Sequence, residues 1–93
     1  MDARQTIIKS VIKAAGSTNP IIDAMITVID NRTQEEFNYT PNSKNGSFVI
    51  TLVPGSYTVL IDAPGFSPKN ETIFIKGKSD FIPFMTQEFV VNP

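Results

Sequence analysis

An all-β chain, folded as a Greek-key sandwich of about seven strands, is the architecture this sequence predicts. Three observations carry that expectation. Apolar residues recur at every second position in short runs, and turn residues interrupt the runs about every 8 to 12 residues. β-branched and aromatic residues dominate the apolar set, as pleated, half-buried surfaces favour. No window keeps the i, i+3, i+4, i+7 spacing of an amphipathic helix.

The elements follow in order. Thr6 to Lys13 reads as a first strand, with Ile8, Ser10 and Ile12 on one face and Ile7, Lys9, Val11 and Lys13 on the other. Ala14 to Pro20 is small, polar and turn-rich. Ile21 to Asp30 is apolar on both faces and reads as a central strand. Asn31 to Gln34 turns the chain into Glu35 to Thr40, whose alternation suits a half-exposed strand. Pro41 to Gly46 has almost nothing to bury and reads as a loop.

Asn45 to Phe66 organises the rest. Phe48, Ile50 and Leu52 alternate in one run, and Tyr57, Val59 and Ile61 in the next. Pro54-Gly55 joins them, with Asn45-Gly46 before and Pro64-Gly65 after. Gly46, Pro54, Gly55, Pro64 and Gly65 are therefore turn residues, and the stretch reads as a β-hairpin supplying two central strands. Glu71 to Lys76 is a further strand closed by Gly77. Pro83 cannot donate to a sheet ladder, so Phe81 to Met85 reads as irregular or edge, before a last strand over Thr86 to Val91.

Composition narrows function by exclusion. Of the 93 residues, 41% are hydrophobic and 18% charged, a balance that supports one packed domain over residues 6–93. Residues 1–5 read as a linker remnant. A net charge of −1, with the charges scattered, gives no footprint for nucleic acid and no basic patch for a membrane surface. No apolar run is long enough for direct membrane insertion by a helix, and the N-terminus lacks a signal-peptide pattern. The chain has neither cysteine nor histidine. Disulfides, thiolate nucleophiles, imidazole ligands and Ser-His pairs are excluded together, so the expectation is no enzyme, no cofactor and no metal.

The motifs carry a resemblance. Ile8-Lys9-Ser10-Val11-Ile12, Pro20-Ile21, Ala24-Met25-Ile26-Thr27-Val28, Gly46-Ser47-Phe48, Pro54-Gly55-Ser56-Tyr57 and Ala63-Pro64-Gly65-Phe66 fall in the order of the carboxypeptidase regulatory-like domain, which the run from Ile8 to Phe66 resembles. Ser10 stands where that family usually has Gly, and Phe66 where it usually has Tyr. The resemblance implies a prealbumin- or transthyretin-like sandwich. The stretches ITVIDNRTQE, NSKNGSF and ITLVPGSYTVLIDAPGF, and a tail with Phe81-Ile82-Pro83 and Val90-Val91-Asn92-Pro93, are similar to the version found in OmpA-type envelope proteins of Bacteroidetes. That likeness implies a module excised from a larger periplasmic, outer-membrane-associated protein, beside a peptidoglycan-binding domain and linked to type IX secretion. Its partners would be other domains of the same chain and envelope proteins.

Rival chemistries fail on residues. The isopeptide bond of collagen-adhesin B-type modules needs a buried acid where this chain has Ile61, and the adjacent Asp62 points to the opposite face. Transthyretin-related hydrolases work through histidines. Asp30, Asn31, Glu35 and Glu36 straddle a turn without the converging oxygens that calcium needs. Four Asn-x-Ser/Thr sequons, at Asn31, Asn38, Asn45 and Asn70, are explained by the turn preference of Asn and Thr.

What remains is surplus apolar surface. With Ile26, Val28, Phe48, Ile50, Leu52, Tyr57, Val59, Ile61, Ile73 and Ile75 assigned inward, Val11, Met25, Ile29, Val49, Leu60 and Phe74 fall on other faces, joined by Phe84 and Met85 of the tail. Leu60, Phe74, Phe84 and Met85 are the candidate interaction residues. The expected function is a non-catalytic structural and protein-interaction module. The alternative is a carbohydrate-associated or adhesin-like accessory domain of a secreted surface protein, with Tyr39, Phe66 and Phe84 as its aromatics.

Overall fold

Alternation of burial along each run sets the strands. The structure, a computed structural model, describes residues 5–77 and 80–93, so Met1 to Arg4 of the expected linker remnant lie outside the described residues. These residues form β1 (Thr6–Ala14), β2 (Met25–Asp30), β3 (Glu36–Tyr39), β4 (Ser47–Leu52), β5 (Gly55–Asp62), β6 (Lys69–Ile75) and β7 (Phe84–Val91). One sheet has the order β4-β1-β7 and the other β3-β2-β5-β6. The all-β sandwich is therefore as the sequence predicts.

The core lies between the sheets. Ile8, Ile12, Phe48, Ile50, Leu52, Phe89 and Val91 face it from the smaller sheet, and Ile26, Val28, Tyr57, Val59, Ile61 and Ile75 from the larger. Each such side chain removed from water contributes about 1.5–3 kcal/mol. Ile73 and Met85 pack against this cluster while staying half-buried. Ser10 shares the inward face of β1, and its buried hydroxyl finds no partner among the described residues. Leaving it unpaired costs about 1–3 kcal/mol, a cost that Gly, usual at this position in the resembled family, would not carry.

The expected hairpin over Asn45 to Phe66 is corrected. β4 pairs antiparallel with β1, while β5 pairs with β2 and β6, so the two runs belong to different sheets and face each other across the core. The junction shows why. A tight hairpin would satisfy the Val53 carbonyl with a turn amide, but here the Tyr57 hydroxyl donates to it at 2.7 Å. Gly55 opens β5, pairing with Ile75, and its φ of 156° is a backbone conformation that residues with a side chain rarely adopt, so a glycine is required where the chain crosses from one sheet to the other. Period alone cannot distinguish strands side by side from strands face to face, since both bury alternate residues.

The other turns keep their expected chemistry. Phe66 N–H donates to Ala63 O at 3.0 Å, with Gly65 at φ 84° and Pro64 before it, which is a type II turn. Gly46, at φ 74°, closes the loop in which Asn42 Oδ1 accepts from the Lys44 amide at 2.8 Å. The β2–β3 hairpin turns through Asn31 to Gln34, and Gln34 takes the left-handed conformation at φ 64°.

Element bounds shift modestly. β2 starts at Met25, although Ile21 and Ala24 before it are buried. β6 starts at Lys69 within a stretch that reads as polar connection. Phe84 and Met85 belong to β7, which is an edge strand, and only Phe81 to Pro83 stay outside it. β7 lies parallel to β1, with Ile7 opposite Phe84 and Ala14 opposite Val91.

Candidate interaction surfaces

Two outward faces hold most of the exposed apolar side chains. On the four-stranded sheet, Met25 and Leu60 are diagonal neighbours, because Met25 pairs with Asp62 and Thr27 with Leu60. With Pro68 they line a shallow depression of about 430 Å³ whose polar members include Thr27, Asp62 and Lys69. Phe74 stands opposite Ser56, and Leu60 opposite Asn70. Leu60 and Phe74 therefore share this face but sit about 13 Å apart along the strands at the usual rise per residue. Phe74 is 70% exposed and Leu60 half-buried.

The three-stranded sheet carries a second patch. Ile7 and Phe84 are cross-strand neighbours, with Val49 opposite Lys9 on the adjacent strand. Ile7, Val49 and Phe84 are exposed, as is Ile82 just before β7. Met85 departs from the surface group, because alternation along β7 turns it inward against the core. So the four sequence candidates divide, with Leu60 and Phe74 on one sheet, Phe84 on the other and Met85 inside. The surface group read from the sequence omits Ile7, Ile22, Phe37, Ile82 and Val90, all exposed, although the place of Ile7 beside Ile8 in the alternation marks it as outward.

The two tyrosines are structural. Burial pushes the Tyr39 pKa up, with the nearby Thr51 backbone amide opposing by a smaller amount. Tyr57 is also raised, first by burial and then by the negative charge of Asp30, with Arg32 opposing. Tyr39 and Phe66 both pack against the core cluster, so of the aromatics proposed for sugar stacking only Phe84 stands exposed. No stacking platform forms from the three.

Charge adds little. Lys13 Nζ meets Glu88 Oε2 at 3.2 Å across β1 and β7, a surface pair of the kind that contributes about 1 kcal/mol or less. Among the described residues no three carboxylates converge as metal ligands, and no helix is long and apolar enough to cross a membrane.

Comparison with solved structures finds the same sandwich in proteins of low identity. The Bacillus anthracis TIE protein superposes with a TM-score of 0.73 at 13% identity, over 96% of this chain and 17% of that one. The dioxygenase domain of a dioxygenase carbohydrate-binding protein fusion from Streptomyces sp. SirexAA-E gives 0.71 at 12%, covering 98% and 81%. Chlorocatechol 1,2-dioxygenase from Pseudomonas putida gives 0.73 at 10%, covering 97% and 61%. At these identities the likeness is one of fold and carries no chemistry. The curated proteins give no match. The model of the carboxypeptidase regulatory-like domain matches residues 7–81, most of the chain and nearly all of its strands. The chain belongs to the carboxypeptidase regulatory-like domain family.

Proposed function

We propose that this chain is a non-catalytic structural and protein-interaction module that spaces or docks its neighbours within a larger envelope protein. One observation carries the reading. Apolar side chains stand exposed on the outer faces of both sheets, Met25 and Phe74 on one and Ile7, Val49 and Phe84 on the other, so a single rigid sandwich has a face for each of two neighbours. A family built on packing, and a chain without histidine or cysteine, agree with a geometric role.

The location proposed is the periplasmic side of an outer membrane, in an OmpA-type protein associated with peptidoglycan and type IX secretion. The likeness of the Ile26 to Glu35 and Asn42 to Phe66 stretches to that version of the domain supports it. Reading the full frame around these 93 codons tests this, with an export or lipoprotein signal upstream and an OmpA-type domain downstream expected. In that full-length protein, a photo-crosslinking residue at Phe74 should give one discrete product with a neighbouring domain or envelope protein, and Leu60→Glu should abolish it. A flanking glycosidase domain, a cell-wall anchor or no flanking domain at all would overturn the location. A crosslink indifferent to Leu60→Glu would overturn the face.

A further inference from the structure

We propose that the outer edge of β7 is a homotypic pairing site, at which a second copy of this chain adds its own β7 antiparallel across a two-fold axis. The direction of the backbone groups follows from two bonds. Pro83 O accepts from the Ile7 amide at 3.0 Å and Val91 O from the Ala15 amide at 2.9 Å, so odd-numbered residues of β7 turn their backbone groups toward β1. Even-numbered residues turn theirs away from the sheet. Asn92 O confirms the parity, accepting from the Ser67 amide on that outer side at 2.7 Å. Phe84, Thr86, Glu88 and Val90 thus offer donors and acceptors along the edge. Among the described residues only one of these groups meets a partner, the Glu88 carbonyl, with the Gln87 side-chain amide at 3.4 Å.

The other edges are managed. β4 is closed where it starts, since Ser47 O accepts from the Asn42 amide at 2.7 Å and the Ser47 amide donates to Asn45 Oδ1 at 2.9 Å. β3 has 4 residues, and β6 carries Lys69 and Glu71. Short edges and charged edges resist strand addition, whereas β7 has 8 residues and a single charge, at Glu88.

The β7 sequence fits itself. In the antiparallel register that sets Phe84 against Val90 of the second copy, Thr86 falls against Glu88, and every outward backbone group enters a mutually hydrogen-bonded pair. An aromatic ring then meets a β-branched side chain, and no like charges are apposed. Glu88 is held by Lys13 within its own copy, so its carboxylate adds no repulsion across the axis. The two three-stranded sheets become one continuous sheet, and the exposed Phe84 and Val90 are covered in part. Isologous pairing of this kind closes on itself and stops at the dimer.

Sedimentation equilibrium over a concentration series tests the proposal. The chain is expected to form dimers with a dissociation constant in about the 10–500 µM range, as a small interface implies. Thr86→Glu sets one carboxylate against Glu88 of the other copy on each side of the axis and should weaken the dimer about tenfold, while Thr86→Lys should tighten it. Lys9 lies beside Thr86 on β1, so the glutamate variant gains a favourable neighbour within its own copy and keeps its fold. A monomer at every concentration would overturn the proposal. So would a dimer indifferent to both substitutions, which would place the contact on another surface. Fast amide exchange at Phe84, Thr86, Glu88 and Val90 that slows only with a strand from a different protein would also overturn it, assigning the edge to a foreign partner.

Discussion

Phe89→Ala is expected to lower the unfolding free energy by about 3–5 kcal/mol. Phe89 is 1% exposed and stacks on Phe48 with ring centroids 6.3 Å apart and planes 13° from parallel. The two rings come from β7 and β4, the two edges of the three-stranded sheet, and meet over β1. Truncation removes the contact that ties those edges together and leaves a cavity that strands anchored on both sides fill poorly. A domain of this size has about 5–15 kcal/mol of stability in all, so the loss approaches half of it. Urea titration should show the midpoint falling with little change in slope. A loss under about 1 kcal/mol would mean that β7 is not a core strand.

Gly46→Ala is the second large effect. Gly46 sits at φ 74°, where a side chain is strained, and an added Cβ would lie inside contact distance of the Pro20 Cβ. Pro20 has little room to yield, because it bridges to Lys13 at the end of β1 while the next amide, Ile21, donates to Ile12 O at 2.8 Å. Strain and overpacking at about 1–3 kcal/mol each give an expected combined loss larger than either alone. Gly65→Ala separates the two causes. Gly65 has φ 84° and nothing within 4 Å of an added Cβ, so it carries the strain without the clash. Thermal denaturation should rank Gly46→Ala well below Gly65→Ala, and equal losses would contradict the Pro20 contact.

Much of the fold was legible because strands that bury one face must alternate. Phe48, Ile50 and Leu52 faced inward as the pattern requires, and so did Tyr57, Val59 and Ile61. Pairing was less legible. Leu52 and Tyr57 bury the same area whether their strands lie side by side or across the core, and the Tyr57 hydroxyl that settles the matter is invisible to a period of two. β7 shows the same limit from another direction. Pro83 argued for irregularity, yet its carbonyl accepts the first bond of the parallel ladder from Ile7, a contact across most of the chain's length. The surface candidates divided for a related reason. Leu60 and Phe74 follow their strands outward on one sheet, whereas adjacent Phe84 and Met85 must point opposite ways once β7 reaches back to include them.

Accessibility of the outer face of the four-stranded sheet, measured in the intact parent protein, tests the docking account most directly. The chain has no cysteine, so Thr72→Cys, outward on β6 between Asn70 and Phe74, gives a thiol on that face without removing an apolar contact residue. Ser43→Cys, in the exposed loop before β4, serves as control. The account predicts that maleimide labelling at position 72 slows by more than about tenfold when the module sits in its parent, as the dry centre of an interface would impose, while position 43 keeps its rate. Equal rates at position 72 in the isolated module and the parent would contradict it.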